Sequence, residues 1–433
     1  MVRDGYKMTG LGEIPEDWDV NLFSDIAEIK GRVGWKGYTI HDLRESGPLV
    51  LGAENISKNN KLNLLKTTHL TIEKYEESPE IMVNQWDILI VQRGSLGKVT
   101  IVDRKLGKTT INPSLILVKN IKIASLFLYY WLCGEKTQNM IQDNLSQTGV
   151  PMISQSQVKN FIIPLPPASV QKKIASILSS VDENIEKTGV LIEKYKHVKK
   201  GLMSDLLTKG IDEERNLRSE DTHEFKDSVL GRVPVEWDVK PCESICREIV
   251  VGIVIRPAQY YRPDGVPVLR SANVHENKIN ADDLVYMSQA DNSKLKKSQL
   301  RTGDLVTVRT GYPGTTSVVP TDFDGCNCID IVISRPDQTK IRSDYLSIWI
   351  NSDYGKRQVL EGQGGLAQQH FNVGEMRNLL VHVPGINEQQ RIAEILTAAD
   401  QRIEKEESYR NKLLQIKKGL MQDILTGKVR VTV

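Results

Sequence analysis

Apolar positions along this chain follow two periods, and the change from one to the other happens twice. From about residue 18 to 165, and again from 237 to 384, short apolar runs are punctuated by Gly, Asn and Pro. Within them Ile88–Val91, Val99–Val102, Leu305–Val308 and Ile329–Ile333 have the length and β-branched content of strands, while stretches near Leu126–Gln142 and Tyr345–Leu360 read as helix. Beyond each mixed segment the period lengthens. Ile174, Leu178, Val181, Ile185, Thr188, Ile192, Tyr195, Lys199, Leu202 and Leu206 alternate in steps of four and three, the spacing of a heptad seam. A second seam runs through Ile392, Leu396, Ala399, Ile403, Leu413, Leu420 and Ile424, interrupted by Glu406, Arg410 and Lys417. Pro164–Pro167 and Pro384 stand just ahead of the two helices, where a fixed φ stops the preceding strand.

The pattern predicts an α+β protein of two globules, each followed by a helix of about 38 residues that would span roughly 57 Å. Neither helix can bury its stripe alone. The simplest partner for each is the other, in a two-helix coiled coil within one chain; the alternative is that each stripe packs on its own globule.

The period change recurs because the sequence is duplicated. Leu11-Gly-Glu-Ile-Pro-Glu-Asp-Trp-Asp-Val20 returns as Leu230-Gly-Arg-Val-Pro-Val-Glu-Trp-Asp-Val239, and Gln171–Thr208 returns as Gln389–Thr426 with 18 of 38 positions identical. Leu51–Ile56 matches Leu269–Val274, and Trp86–Gly97 matches Gly303–Gly314. A repeat of this size is a duplicated domain and not a solenoid, whose periods run to roughly 20–50 residues. The expected organisation is a globule over 1–166, a helix over 167–209, a charged linker over 210–229, a second globule over 230–384 and a second helix over 385–429.

Composition narrows the function classes. With 39% hydrophobic and 26% charged residues, the 433-residue chain has enough apolar material for real cores. No stretch approaches the roughly 18 apolar residues of a membrane span, so the expected compartment is the cytoplasm and no membrane partner is expected. Five cysteines, Cys133, Cys242, Cys246, Cys326 and Cys328, are too few and too irregular for a disulfide framework. A net charge of +2 means that any nucleic-acid binding must come from local basic surface.

Catalytic signatures are not found. Gly362-Gln-Gly-Gly365 and Asn112-Pro-Ser114 do not make the glycine-rich turn and the Asn/Asp-Pro-Pro-aromatic loop of a methyltransferase. Gly94-Ser-Leu-Gly97-Lys98 is too short for a phosphate loop and lacks the hydroxyl residue after lysine. Pro336-Asp-Gln-Thr-Lys340 has the composition of a turn and not of a nuclease strand. Cys242, Cys246, Cys326 and Cys328 offer four thiols, but the first copy has no cysteine at the matched positions, so no metal site is expected.

Three features together carry a family resemblance. They are Pro164-Leu-Pro-Pro-Ala-Ser-Val-Gln-Lys-Lys-Ile-Ala-Ser-Ile-Leu178 with its counterpart Asn387-Glu-Gln-Gln-Arg-Ile-Ala-Glu-Ile-Leu396, the helix endings Lys199-Lys-Gly-Leu-Met203 and Lys417-Lys-Gly-Leu-Met421, and the entries Pro15-Glu-Asp-Trp18 and Pro234-Val-Glu-Trp237. From about residue 11 to 429 the chain resembles the specificity subunit of Type I restriction-modification systems. The first copy departs from the second at Ser169-Val170, where the second has Asn387-Glu388. The resemblance implies two target recognition domains held apart by two antiparallel helices, each domain reading one half of a split sequence in double-stranded DNA. It further implies docking of two methyltransferase subunits, with restriction subunits joining them, and no catalysis by this chain. S-adenosylmethionine would belong to the methyltransferase partner, and ATP and Mg to the restriction partner. The rival readings are a coiled-coil scaffold that does not bind DNA and a self-sufficient modification enzyme.

Base reading favours Arg, Asn and Gln on turns that reach the major groove. Gln92, Arg93, Ser95 and Lys98 lie between two expected strands, with Gly94 and Gly97 allowing close approach; the matched loop holds Arg309, Thr310 and Tyr312. The glycines repeat while the side chains change, so the two half-sites should differ. Lys30, Arg32 and Lys36, then Arg256, Tyr260 and Tyr261, and Gln368, Gln369 and His370 complete the candidates, each mixing basic, amide or aromatic groups. The lysines Lys172, Lys173, Lys199, Lys200, Lys417 and Lys418 read better as a solvated helix face than as a phosphate track, with a face toward a partner subunit as an equal alternative.

Overall fold

A computed structural model describes residues 2–32, 37–144, 151–361 and 370–432. The chain divides into two compact units whose borders fall inside the long helices: residues 1–190 with 407–433 form the first, and 191–406 the second. Each unit therefore pairs one globule with the first half of its own helix and the second half of the other copy's helix.

In the first unit the central sheet is antiparallel, with strands in the order Glu28–Lys30, Leu115–Lys119, Ile88–Val91 and Val99–Ile101. A smaller sheet joins Thr68–Leu70, Leu43–Leu51 and Thr109–Ile111, the last pair parallel. The second unit repeats both, as Cys246–Val251, Ile331–Pro336, Leu305–Val308 and Thr316–Val318, and as Val285–Met287, Val266–Leu269 and Asn327–Cys328. Ile88–Val91 and Leu305–Val308 are buried throughout, which is why neither alternates apolar with charged residues, the buried Thr307 being the only hydroxyl in the two. Each expected internal helix is split in two, Ser125–Cys133 and Glu135–Asp143 at Gly134, then Ser343–Asn351 and Asp353–Glu361 at Ser352; both break residues take extended φ and ψ.

The long helices run Ala168–Thr208 and Ile386–Ile424. Every residue of both seams, including the interrupting Glu406, Arg410 and Lys417, is buried or half-buried. Both expected modes of packing occur. Ile174, Ala175 and Leu178 enter the core of the first globule together with Ile424 and Leu425, and Leu206, Leu207, Ile392, Ala393 and Leu396 do the same in the second unit. Further along, each unit holds its two helix segments together through one ion pair: Lys417 to Asp182 at 2.6 Å in the first, Lys199 to Asp400 at 2.5 Å in the second. These four residues are the same two sequence positions seen twice. Their residue numbers add to the same total in both pairs, which is the antiparallel register. Reversing one charge, as in Lys199→Glu, should lower the thermal midpoint of the second unit. Lys199→Glu with Asp400→Lys should restore most of a loss of about 1–2 kcal/mol. Calorimetry showing equal loss in single and double variants would contradict this.

Helix entry and exit are built identically in the two copies. Gln171 donates to the Pro166 carbonyl at 2.8 Å and accepts from Ala124 N at 3.0 Å. Gln389 donates to the Pro384 carbonyl at 2.8 Å and accepts from Arg342 N at 2.8 Å. Both amides lie almost without solvent, so each pins a helix start to its globule with satisfied bonds. At the exits Gly210 and Gly427 take φ of +65° and +71°. A Cβ there would meet Trp237 at 2.3 Å and Pro15 at 2.4 Å, so both conformation and space demand glycine.

The stretch expected as a linker is built into the second unit. Ile211 is buried, and Arg218, 9% exposed, bonds Glu388. Phe225–Ser228 pairs with Gly231–Pro234 as a hairpin. Its charged composition hid this because its few buried residues are widely spaced.

Candidate nucleic-acid interface

In the first unit the central hairpin of Ile88–Val91 and Val99–Ile101 carries the loop 92–98. Asp87 sets its base, accepting from Asn84 N at 2.7 Å, and burial pushes the Asp87 carboxyl up to about 6. Gly94 and Gly97 take φ of +82° and +77°, turns that L side chains resist. The second unit repeats each part: Asp304 accepts from Arg301 N at 2.9 Å, and Gly311 and Gly314 take φ of +92° and +86°. The loops are braced alike by a following segment, with Ile153 N donating to the Gln92 carbonyl at 3.1 Å and Phe371 N to the Arg309 carbonyl at 2.9 Å.

The raised Asp87 carboxyl has a defined sign. An unfolded Asp titrates near 4, so the folded state binds the extra proton between pH about 4 and 6, and this contribution to stability is lost as pH rises through 6. Asp87→Asn should therefore gain on the parent by about 2–3 kcal/mol between pH 4 and pH 7. Urea midpoints of the two proteins measured across that range check it; a constant difference would contradict it.

The hairpin gathers candidates and sorts them. Arg93 and Ser95 are exposed at the loop, and Arg93 makes no side-chain bond among the described residues. Lys98 is half-buried and donates to the Ile56 carbonyl at 3.4 Å. Gln92 is corrected from contact group to brace: it is 7% exposed, and its Nε2 donates to the Pro113 carbonyl at 2.7 Å. Arg32 is corrected likewise. It is 5% exposed and donates to the Ile111 carbonyl at 2.9 Å and to Thr110 Oγ1 at 3.0 Å, so its donors serve the smaller sheet. Lys30, at the end of the edge strand, pairs with Glu28 at 3.3 Å.

In the second unit Arg309, Thr310, Tyr312 and His370 come together. Thr310 Oγ1 and His370 Nδ1 are 3.0 Å apart, both residues are exposed, and Tyr312 is 83% exposed. Arg309 is half-buried and ion-paired to Asp330. Nearby, Ile253 bridges Ile329, and the chain beyond it exposes Ile255, Arg256 and Tyr261. Arg256 has a left-handed φ of +44°, and Tyr260 packs on Ile253, Val268, Met287 and Ile329. Lys36, Gln368 and Gln369, with the string 362–365, lie outside the described residues.

Sequence reasoning missed three positions that fix side chains or helix starts in place. Gln171 and Gln389 could have been found, since they begin the most similar stretch of the repeat. Asp330 could not, because it sits inside an apolar run read as one strand; the strand begins at Ile331, and Asp330 kinks ahead of it at φ +52°. The four thiols of the second copy are divided, Cys242 and Cys246 lining one core and Cys326 and Cys328 another. Among the described residues no group of three His, Cys, Asp or Glu could hold a metal, and no helix is long and apolar enough to cross a membrane.

Two copies of one α+β unit, each with a glycine-turned loop bearing different exposed side chains, make this a duplicated two-unit protein. The profile of the family described as Type I restriction modification DNA specificity domain matches residues 15–194 and 234–415, and the chain belongs to that family. It is 28% identical to the Type I restriction enzyme MjaVIII specificity subunit of Methanocaldococcus jannaschii over 435 aligned positions, 98% of this chain and 96% of that one. Against the Type I restriction enzyme EcoBI specificity subunit of Escherichia coli it is 23% identical over 325 positions, 73% of this chain and 67% of the other. Its fold is like that of the Type I restriction-modification system S subunit from M. genitalium, with a TM-score of 0.58 at 14% identity, covering 96% and 97% of the two chains.

Proposed function

We propose that this chain is the non-catalytic specificity subunit of a Type I restriction-modification complex, reading a bipartite, asymmetric sequence in double-stranded DNA. Each unit reads one half, and the chain brings two adenine methyltransferase subunits to it, through which restriction subunits join. S-adenosylmethionine would sit on the methyltransferase, which must extrude the adenine to reach it; ATP and Mg would sit on the restriction partner. The observation that carries the reading is the repeated hairpin. Its glycine turns, its buried aspartate and its bracing bond are the same in both units, while the exposed residues are Arg93 and Ser95 in one and Thr310, Tyr312 and His370 in the other. A common scaffold with different contact groups is what two unlike half-sites require.

Mobility shifts with the full chain and its methyltransferase partner test the reading against a protein-binding scaffold. Binding should depend on sequence and weaken steeply with salt, as phosphate contacts demand. Arg93→Ala should reduce discrimination in one half-site by about 1–3 kcal/mol and leave the other unchanged. Binding indifferent to sequence would favour the scaffold, and methyl transfer by this chain alone would favour a self-sufficient enzyme.

A further inference from the structure

Arg309 begins the glycine-turned loop of the second unit and is held on two sides. Its Nη1 donates to the Asp330 carboxylate, and its Nε donates to the Phe371 carbonyl at 3.3 Å. Asp330 is itself fixed, with its N–H donating to the Ile253 carbonyl at 3.1 Å and its backbone in the left-handed region. Aspartate tolerates the left-handed backbone better than most L residues, and here that backbone sets the carboxylate facing Arg309. Arg309 Nη2 has no bond among the described residues, and the side chain keeps 20% of its surface exposed. The guanidinium is thus gripped at one end and open at the other. The first unit has no such arrangement: Gln92 takes the matched position, spends its amide on the Pro113 carbonyl, and Ser114 stands before the strand where Asp330 does.

We propose that Asp330 is a positioning residue that presents Arg309 to a guanine in the half-site read by the second unit. The inference rests on the DNA-reading function proposed above and names the base. Guanine shows two acceptors, N7 and O6, on its major-groove edge, which suit the donors left on Arg309; adenine sets an N6 donor against them. A guanidinium already fixed by Asp330 and Phe371 loses little rotamer freedom on contact, and the carboxylate behind it keeps the fork from turning to phosphate. The second unit should therefore demand one guanine stringently.

The test is selection from a duplex pool with randomised positions, using the full chain bound to its methyltransferase partner, in parent, Arg309→Lys, Asp330→Asn and Asp330→Glu forms. The parent should fix guanine at one position of one half-site. Arg309→Lys and Asp330→Asn should relax that position alone by roughly tenfold or more, with the other half-site unchanged as the control for folding, and Asp330→Glu should recover part of the preference. Replacing that guanine with 7-deazaguanine should weaken the parent by a similar factor and the Asp330→Asn protein little further. A parent half-site without an invariant guanine, or an Asp330→Asn selection identical to the parent's, overturns the proposal while leaving DNA recognition standing. If Asp330→Asn does not fold, Arg309→Lys and the 7-deazaguanine substitution decide. A parent that enriches no sequence removes the DNA-reading function itself, and this inference with it.

Discussion

Glu388→Val should destabilise the second unit by about 3–5 kcal/mol, the cost of leaving a buried cation without its partner. Glu388 is 7% exposed, and its carboxylate accepts from Arg218 Nη2 at 3.2 Å, from Trp237 Nε1 at 3.1 Å and from Ile211 N at 2.9 Å. Removing it strands a guanidinium, an indole N–H and a backbone N–H together. The first copy shows that the position itself does not require a carboxylate, because it holds Val170 there. Adding Arg218→Met to Glu388→Val removes the unpaired charge and should recover part of the loss, with the Trp237 indole and the Ile211 N–H still unpaired. Urea unfolding would measure both; a single variant costing less than about 1 kcal/mol, as an exposed pair would, would contradict the buried network.

Inserting one heptad into both long helices, between residues 190 and 191 and between 406 and 407, should abolish modification of the original DNA target. It should create modification at the same half-sites with a changed spacer. Seven residues add about 10.5 Å of helix and keep the phase of the seam. The two points lie between the helix-pairing contacts, so Asp182–Lys417 and Lys199–Asp400 both survive when the insertions face each other. An insertion in one helix alone must slip one of these pairs and its core contacts, and should cost activity at every spacer. Mapping N6-methyladenine in cells carrying the variants reads the result. Altered half-sites with an unchanged spacer would show that the helices do not set the distance.

Both architecture and family were legible in the sequence because the duplication doubles every signal. A seam of ten positions is hard to mistake when it occurs twice, and Trp18 and Trp237 mark the same buried corner. What the sequence hid was the partition. Helix 168–208 looks like one element of one copy, yet its first half belongs with its own globule and its second half with the other. Periodicity identifies a buried face without identifying what covers it. The same limit governs the site. Gln92 and Arg309 both have the side chains of base readers, and only the carbonyl of Pro113 and the carboxylate of Asp330 reveal that the first is spent as a brace and the second is held at one end. Gly94, Gly97, Gly311 and Gly314 were readable as positions of close backbone approach, and all four take the positive φ that leaves few other residues possible. Arg32 was misleading because a buried arginine and a groove-reading arginine are the same letter.

The proposed role, conferring DNA specificity on a methyltransferase, is read out by the N6-methyladenine map of the source genome with and without its gene. Deletion should erase one methylated motif, split by a spacer and different in its two halves, and leave other methylation in place. An unchanged map in cells where the methyltransferase partner is active would contradict it.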